Sequence, residues 1–292
     1  MEDNDRGKML GLIRDNAEEI IAQSGREVRV LREEALRTIS EKSGMPLNMT
    51  YRDSLKSGAL PYRYIRNLDS IDSSDQLRLA ESKVVVLGAG GLGGHVISLL
   101  ARTGVGSISI VDRDIFDESN LNRQSFCKLE SIGRSKAREA SGFVAEVNPG
   151  VEVICCRVNI DEHNCNDIMN GADVVADCLD SIGDRLLVGD CARRLKIPLV
   201  HGAIAGFEGQ VATIFPEDEG LYLIYGGYET GEGDSPGAEA LLGVTAPAAS
   251  LVGTLQAMEV IKVLIGKGRV LRNSLLHIDL ESCQFEKFSL KN

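Results

Sequence analysis

The chain of 292 residues has 43 Asp and Glu against 32 Lys and Arg, and its net charge of −11 excludes a protein that binds nucleic acid through a basic surface. Its 43% hydrophobic and 26% charged residues are typical of a globular protein, and no apolar stretch reaches the ~20 residues of a membrane span. Seven cysteines without a C-x-x-C pair, and an acidic N-terminus unlike a signal peptide, predict a cytoplasmic protein with reduced thiols.

Residues 1–60 carry apolar side chains at every third or fourth position, on both sides of Gly25. This period predicts two amphipathic helices with a break near the glycine. Residues 57–61 are the small and helix-breaking types found in linkers. We therefore place a domain boundary near residue 60, which separates a helical N-terminal extension, 1–60, from a second domain, 61–292.

From residue 83 onward, short β-branched runs alternate with helical stretches. Strands are predicted at 84–87, 107–111, 151–154, 173–177, 198–201, 209–215 and 275–280, and helices around 91–103, 134–147, 184–195 and 252–265. Apolar strands that alternate with helices are typical of a parallel sheet covered on both faces. The sequence thus predicts an α/β fold with a Rossmann-like, doubly wound, mostly parallel sheet. The Gly-rich, acidic stretch 216–243 is predicted as a long loop, of the kind that often has a function.

The strand at 84–87 leads directly into Gly88-Ala89-Gly90-Gly91-Leu92-Gly93, a G-x-G-x-x-G sequence. Its glycines allow a tight turn and let backbone N–H groups approach a phosphate at the start of a helix. Asp112 ends the next strand, 19 residues after Gly93, where a carboxylate can bind ribose hydroxyls. The predicted nucleotide-binding residues are Gly88, Gly90, Gly91, Gly93 and Asp112. A role in helix packing alone is the weaker interpretation, because strand, helix and Asp112 are all in register.

Three charged residues further along the chain favour ATP over NAD as the predicted ligand. Arg123 lies in the polar run 119–124, Lys136 begins the next predicted helix, and Asp180 follows the strand that ends at Asp177. Adenylyl or phosphoryl transfer uses cations to stabilise charge on phosphate oxygens, whereas a nicotinamide has no use for them. Asp180 lies beyond the carboxyl end of its strand, where a carboxylate can hold Mg²⁺.

These residues also have simpler interpretations. Arg123 could belong to a solvated loop with a surface ion pair. Asp180 or Ser181 could cap the helix that follows. A P-loop mechanism is excluded because the chain has no G-x-x-x-x-G-K-[ST] sequence.

Together these motifs resemble the MoeB/ThiF/HesA family of ubiquitin-activating-type adenylyltransferases, over roughly residues 62–290. The matching blocks are residues 63–66, 88–93, 119–124, 133–136, 177–180, 207–210 and 253–259. MoeB-like members are the most similar, ahead of the tRNA-modifying dehydratases. The resemblance implies that the C-terminal glycine of a small ubiquitin-like sulfur carrier, ending in Gly-Gly, attacks the α-phosphate of ATP, as in molybdopterin or thiamine biosynthesis. The products would be an acyl-adenylate and pyrophosphate.

The resemblance also implies a role for each matched residue. Asp112 would bind the ribose, Arg123 and Lys136 the phosphates, and Asp180 the Mg²⁺. Arg66 would enter the neighbouring subunit's site as an arginine finger, so a homodimer with composite sites is expected. Two further residues would line the phosphate site, Asn120 and Gln124.

The sequence departs from the family pattern in two places, a zinc site and a loop cysteine. Many relatives have a zinc site made of two C-x-x-C pairs, but residues 221–224 lack the first pair and the chain lacks the second, so no zinc is predicted. The stretch 216–245 also contains no cysteine. Adenylation without a covalent thioester is therefore expected.

Three alternatives to this function stay open at the level of sequence. An NAD-dependent oxidoreductase would keep the glycine motif but leave Arg123, Lys136 and Asp180 without roles. An inactive half of a heterodimeric activating enzyme is disfavoured by the presence of all the phosphate-site residues. Activation of another carboxylate, on a peptide or linked to tRNA, is a third possibility. Residues 1–60 could cap the dimer, the interpretation we favour, or recognise a carrier.

Overall fold

The computed structural model describes residues 2–226 and 241–290 of the chain. Its helices and strands, in chain order, are α1 (Glu2–Asn16), β1 (Glu18–Ile21), β2 (Glu27–Leu31), α2 (Glu33–Ser43), α3 (Leu47–Lys56), β3 (Leu60–Pro61), α4 (Ser73–Glu81), β4 (Lys83–Leu87), α5 (Gly91–Thr103), β5 (Ser107–Val111), α6 (Lys136–Val147), β6 (Glu152–Cys156), α7 (Cys165–Met169), β7 (Val174–Asp177), α8 (Ile182–Leu195), β8 (Leu199–Ala205), β9 (Glu208–Ile214), α9 (Tyr222–Tyr225), α10 (Ala246–Ile265), β10 (Ser274–Asp279) and β11 (Gln284–Ser289).

An eight-stranded sheet forms the centre of the fold, in the order β11-β10-β9-β8-β7-β4-β5-β6. The five strands from β8 to β6 are parallel, and β9, β10 and β11 are antiparallel. The chain moves outward from β4 first to β5 and β6 and then, on the other side, to β7 and β8. This is the predicted doubly wound, Rossmann-like sheet. Ligands of such sheets bind beyond the carboxyl end of the strand at which the order reverses, which here is β4.

The N-terminal part is a mixed structure, and the prediction of two helices is wrong for residues 18–31. These residues form the antiparallel pair of β1 and β2, with Gly25 in the turn at φ +80°. Short apolar runs fit a helix or a strand equally well, and here β-branched residues at a hairpin turn decide for strands. Helices α1, α2 and α3 share one buried core with this pair, and Met9, Leu36 and Val30 are among its residues.

The stretch predicted as a linker, 57–61, ends in a short buried strand. Leu60 pairs with Val30 and Pro61 with Leu31, so β3 lies parallel to β2. The apolar core of the N-terminal part also includes Tyr64, from the other side of residue 60. Residues on both sides of the predicted domain boundary therefore share one core.

Helix α10 is the central helix on one face of the large sheet, where it packs along α5 and across β8. By length and composition it is the one helix in the described ranges that could cross a membrane, with a mean hydropathy of 1.5. In the structure 56% of its most apolar window is buried, as expected of a core helix. Part of the predicted loop 216–243 forms α9, and residues 227–240 of that loop lie outside the described residues.

Candidate active site

A cleft opens at the carboxyl ends of β4, β5 and β7. It encloses about 930 Å³ of empty space, solvent at its mouth included, which is within the usual range for a small-molecule site. The predicted residues that line it are Gly88, Gly90, Gly91, Asp112, Arg123, Gln124, Lys136 and Asp180. The topology thus brings together residues that are up to 92 positions apart in the chain, counted from Gly88 to Asp180.

The four glycines of the motif have two different roles. A Cβ on Gly93 would lie 1.8 Å from the carbonyl oxygen of Gly88, and a Cβ on Gly88, at φ +93°, would lie 2.7 Å from that of Cys178. These two positions require glycine for the fold itself, and Gly93 does not line the cleft. A Cβ on Gly90 or Gly91 would meet no other group closer than 3.5 Å. The protein does not require glycine there, but a ligand that lies against the backbone would.

Asp112 connects the glycine loop to the end of β5. Its Oδ2 accepts the N–H of Ala89 at 2.8 Å, and its Oδ1 accepts the N–H of Asp114 at 2.8 Å. Burial raises the pKa of Asp112 above its ordinary value, and the two N–H donors and Lys136 oppose the rise. Each carboxylate oxygen keeps a second lone pair, which could accept a ribose hydroxyl.

Two cations flank the cleft. Lys136 is the first residue of α6, its side chain is 11% exposed, and its Nζ lies 3.1 Å from Asp114 Oδ2. Arg123 Nη1 donates to the carbonyl of Ser119 at 3.2 Å and to Asn122 Oδ1 at 2.9 Å. A lysine has three donor hydrogens and an arginine five, so both side chains can bind phosphate oxygens in addition.

Gln124 supplies a buried polar atom that suits a ligand. Its side chain lines the cleft beside Gly90, and its Oε1 has no hydrogen-bond partner among the described residues. A buried oxygen without a donor destabilises the folded state by about 1–3 kcal/mol. A hydroxyl or N–H group of a bound nucleotide would remove that penalty, so this residue fits the predicted ligand.

The structure places Asn120 behind the phosphate side of the cleft rather than in its lining. Its Oδ1 accepts the N–H of Asp117 at 3.0 Å, and its carbonyl accepts the N–H groups of Arg123 and Gln124 at 3.2 and 3.0 Å. Asn120 thus supports the loop that carries those two residues, and its expected place at the phosphate site stays a prediction.

Arg66 lies outside the cleft of its own chain. Its side chain is exposed, and its Nη1 donates to Gln23 Oε1 in the N-terminal part. This position leaves the guanidinium accessible from outside the protomer. Its expected entry into a neighbouring subunit's site stays a prediction.

Asp180 lies in the turn between β7 and α8 and is exposed to the cleft. Ser181 is the residue that caps α8, because its Oγ accepts the N–H of Asp184 at 3.1 Å. The Asp180 carboxylate is therefore not needed as a cap. Asp184 also lines the cleft and was missed in the sequence, although its position four residues after Asp180, at the start of a predicted helix, was a usable signal.

These two carboxylates, Asp180 and Asp184, fit a magnesium ion that is held mainly by the phosphates of its substrate. Among residues 2–226 and 241–290 there is no group of three or more His, Cys, Asp or Glu arranged to hold a metal. A preformed metal cage is thus not a feature of the described part of the chain.

The cysteine nearest the site is a packed thiol. Cys178 Sγ lies 3.4 Å from Gln256 Oε1, and burial raises the pKa of Cys178 well above its ordinary value. A thiol that stays protonated is a poor nucleophile. Cys178 is therefore better suited to packing than to attack on a substrate.

The sequence profile of the ThiF family matches residues 62–292. The chain belongs to the ThiF family. Among its curated relatives, the SAMP-activating enzyme E1 of Haloferax volcanii is 38% identical over 229 residues, which are 77% of this chain and 83% of that protein. The sulfur carrier protein adenylyltransferase of Thermus thermophilus is 37% identical over 237 residues, 78% of this chain and 87% of that one.

A third relative is longer than this ThiF-family chain. The adenylyltransferase and sulfurtransferase MOCS3 of Drosophila grimshawi is 35% identical over 237 residues, which are 79% of this chain but only 52% of that protein. The chain is thus an adenylyltransferase of the ThiF family. The NAD-dependent oxidoreductase weighed from the sequence is rejected.

Two solved structures share the fold. E. coli MccB with ATP has a TM-score of 0.67 and 22% sequence identity, and the match covers 88% of this chain and 82% of that one. PaaA has a TM-score of 0.68 and 17% identity, and the match covers 94% and 100% of the two chains. At these identities the comparison establishes the shared Rossmann-like α/β fold.

Proposed function

We propose that this enzyme uses ATP to adenylate the C-terminal glycine carboxylate of a small ubiquitin-like sulfur carrier protein that ends in Gly-Gly. The observation that carries the proposal is the convergence of Arg123, Lys136 and Asp180 on one cleft with the glycine loop. Relatives that are 37–38% identical are named for the activation of such carriers. Pathways such as molybdopterin or thiamine biosynthesis use this chemistry.

The nucleotide would lie along the cleft from the glycine loop toward the cations. Its ribose would lie at Asp112 and its phosphates between Arg123 and Lys136. Asp180, with Asp184, would hold a Mg²⁺ ion, which supplies charge neutralisation on the phosphates.

In the reaction, a carboxylate oxygen of the carrier attacks the α-phosphorus of ATP. The bond from that phosphorus to the oxygen bridging to the β-phosphate breaks, and the bonding pair leaves with pyrophosphate. The attacking carboxylate is already ionised, so no general base is required. Arg123 and Lys136 stabilise the charge that builds up on the α-phosphate and on the leaving pyrophosphate, and the rigid loop orients the reactants.

We infer further properties that belong to this function. The enzyme acts as a cytoplasmic homodimer in which Arg66 of one protomer enters the cleft of the other. It has no structural zinc, and residues 1–60 cap the dimer. Because 216–245 contains no cysteine, the enzyme adenylates without forming a covalent thioester, and another protein delivers the sulfur.

Exchange of labelled pyrophosphate into ATP tests this function. A small ubiquitin-like protein encoded in the same genome should support exchange, and the same protein without its last glycine should not. Mg-ATP should raise the unfolding temperature of the enzyme, whereas NAD should not.

Variants of cleft residues test whether pyrophosphate exchange takes place in the cleft. Arg123→Ala and Lys136→Ala should each reduce it by about 10²-fold, since each removes a donor to transition-state charge. Arg138→Ala, an exposed arginine on the same helix as Lys136, is the control and should exchange normally. If pyrophosphate exchange is unchanged when the carrier lacks its last glycine, another carboxylate is activated.

A further inference from the structure

Five residues behind the turn that carries Asp180 form a closed ring of hydrogen bonds. Asp177 Oδ2 lies 2.8 Å from His201 Nδ1, and His201 Nε2 lies 3.0 Å from the Tyr225 hydroxyl. Arg185 Nη1 donates to that hydroxyl at 2.7 Å, and its Nε and Nη2 both donate to the Leu179 carbonyl, at 3.1 and 2.6 Å. The N–H of Leu179 donates to Asp177 Oδ1 at 3.1 Å and closes the ring.

With a neutral His201 imidazole, the hydrogen atoms of this ring have a self-consistent arrangement. A guanidinium can only donate, so the Tyr225 oxygen accepts from Arg185 and gives its own proton to His201 Nε2. The neutral imidazole then carries its proton on Nδ1, which donates to Asp177. Burial lowers the pKa of His201 and so favours this neutral form, while Asp177 acts in the opposite direction.

The ring is buried and therefore sensitive to the loss of any member. Asp177 and His201 are 0% exposed and Arg185 is 5% exposed. Buried polar groups that lose a partner destabilise their surroundings, whereas a fully satisfied network holds them in one arrangement. Both backbone polar atoms of Leu179 are held by side chains of this ring.

We propose that His201 and Tyr225 are positioning residues for adenylation, which hold the Leu179 backbone through Asp177 and Arg185 and thereby place Asp180 in the cleft. Neither His201 nor Tyr225 lines the cleft, so both act through the turn. Through Tyr225, the short helix α9 becomes part of the support of the site. The inference rests on the proposed role of Asp180 toward Mg²⁺.

Two tyrosines of α9 provide a matched pair of variants. Tyr225→Phe removes the hydroxyl from the ring but keeps the aromatic body, which packs edge-on against His201 at 5.6 Å between ring centres. Tyr222→Phe makes the same change three residues earlier, where the hydroxyl donates to Asp190 Oδ2 outside the ring. A second ring variant, His201→Asn, keeps a donor toward Asp177 and loses the bond to Tyr225.

Three measurements on the full chain separate positioning from general destabilisation. They are hydrogen exchange of the Leu179 amide without ligand, ATP affinity without Mg²⁺, and the Mg²⁺ concentration for half-maximal pyrophosphate exchange. Tyr225→Phe should accelerate hydrogen exchange of the Leu179 amide by about 3- to 10-fold. It should raise the Mg²⁺ concentration for half-maximal pyrophosphate exchange by the same factor, as expected for the loss of one or two hydrogen bonds. ATP affinity without Mg²⁺ should stay within about 2-fold, and Tyr222→Phe should match the wild type in all three.

The outcomes distinguish the two proposals. Asp180→Asn tests the role of Asp180 by itself, and an unchanged Mg²⁺ requirement in that variant overturns that part of the proposed function. If Asp180→Asn raises the requirement while Tyr225→Phe behaves like Tyr222→Phe, the positioning proposal is wrong and the proposed function stands. Should Tyr225→Phe fail to fold, His201→Asn takes its place with the same expected direction, and a wild-type Mg²⁺ requirement in it overturns the proposal.

Discussion

At the scale of single residues, the cleft is organised by side chains that hold backbone groups in place. Asp112 fixes the glycine loop, and Asn120 fixes the loop that carries Arg123 and Gln124. Gln124 is different, because it lines the cleft and its buried Oε1 has no partner among the described residues. Asp112 and Asn120 thus shape the site, and Asp112 also keeps lone pairs that a nucleotide could use.

The glycines of the motif give a test of this distinction. Gly93→Ala should lower the free energy of unfolding by about 1–3 kcal/mol, because its Cβ would lie 1.8 Å from the Gly88 carbonyl oxygen. Gly91→Ala should leave stability unchanged or raise it slightly, since the residue is helical and its Cβ would meet the protein at 3.5 Å or more.

Urea unfolding and ATP titration measure the two effects separately. ATP affinity should fall in Gly91→Ala even though the fold is intact, because Gly91 lines the cleft and the added methyl group would lie beside the Arg123 side chain. A Gly91→Ala variant that binds ATP like the wild type would show that the nucleotide does not approach this backbone.

At the scale of secondary-structure elements, α10 joins the parallel and antiparallel parts of the sheet through buried polar side chains. Gln256 Nε2 donates to the carbonyls of Asp177 in β7 and Val200 in β8, at 2.7 and 2.9 Å. Glu259 Oε2 accepts the Thr213 hydroxyl of β9 and the N–H of Leu271, both at 2.6 Å. An otherwise apolar helix thus fixes its register against three strands.

Removal of the Glu259 carboxylate should be strongly destabilising. Glu259→Ala leaves the buried hydroxyl of Thr213 and the N–H of Leu271 without their acceptor, and should lower the free energy of unfolding by about 3 kcal/mol. Met258→Ala is the control, since Met258 is the neighbouring residue on the same helix and is exposed; its loss should change stability by about 1 kcal/mol or less. Equal effects of the two substitutions in urea unfolding would contradict this account of α10.

At the scale of the whole molecule, the N-terminal part and the nucleotide-binding part are joined without a flexible linker. Strand β3 is buried beside β2, and Tyr64 belongs to the N-terminal core while its hydroxyl accepts from Asn148 Nδ2, after α6, at 2.8 Å. Arg66 therefore extends from a well-packed segment rather than from a loose arm. Such a segment is suited to hold an arginine at a fixed place in an interface.

Mixed dimers test the composite site. Arg66→Ala and Lys136→Ala should each abolish most of the pyrophosphate exchange, because one removes the donated arginine and the other the phosphate-binding lysine. In a composite dimer, half of the randomly remixed dimers carry one intact cleft, so mixing should restore about a quarter of wild-type activity. Sedimentation should give a dimer in both variants. No recovery on mixing, with dimers that exchange subunits, would place Arg66 outside the neighbour's site.

Much of the nucleotide-binding domain and its cleft was predictable from local sequence. Parallel strands, the glycine loop and Asp112 follow from apolar runs, from positions that need glycine and from fixed spacings within one β-α-β unit. Because the carboxyl ends of parallel strands meet at one edge, the order of strands alone brought Arg123, Lys136 and Asp180 toward one another. Four helices, α3, α4, α7 and α9, and the strand β11 escaped prediction.

By itself, the sequence determined the α/β class, the place of the nucleotide cleft and the charged groups around it, since these depend on neighbours within a few turns of the chain. Only the tertiary structure decided that 18–31 is a hairpin, that Gly93 serves packing and that Asn120 supports a loop. The ring that joins Asp177 to His201 and Tyr225 likewise spans up to 48 residues, counted from Asp177 to Tyr225. Hydrogen bonds of this kind form between polar groups that the tertiary structure buries next to one another. A local sequence pattern does not show which groups these are.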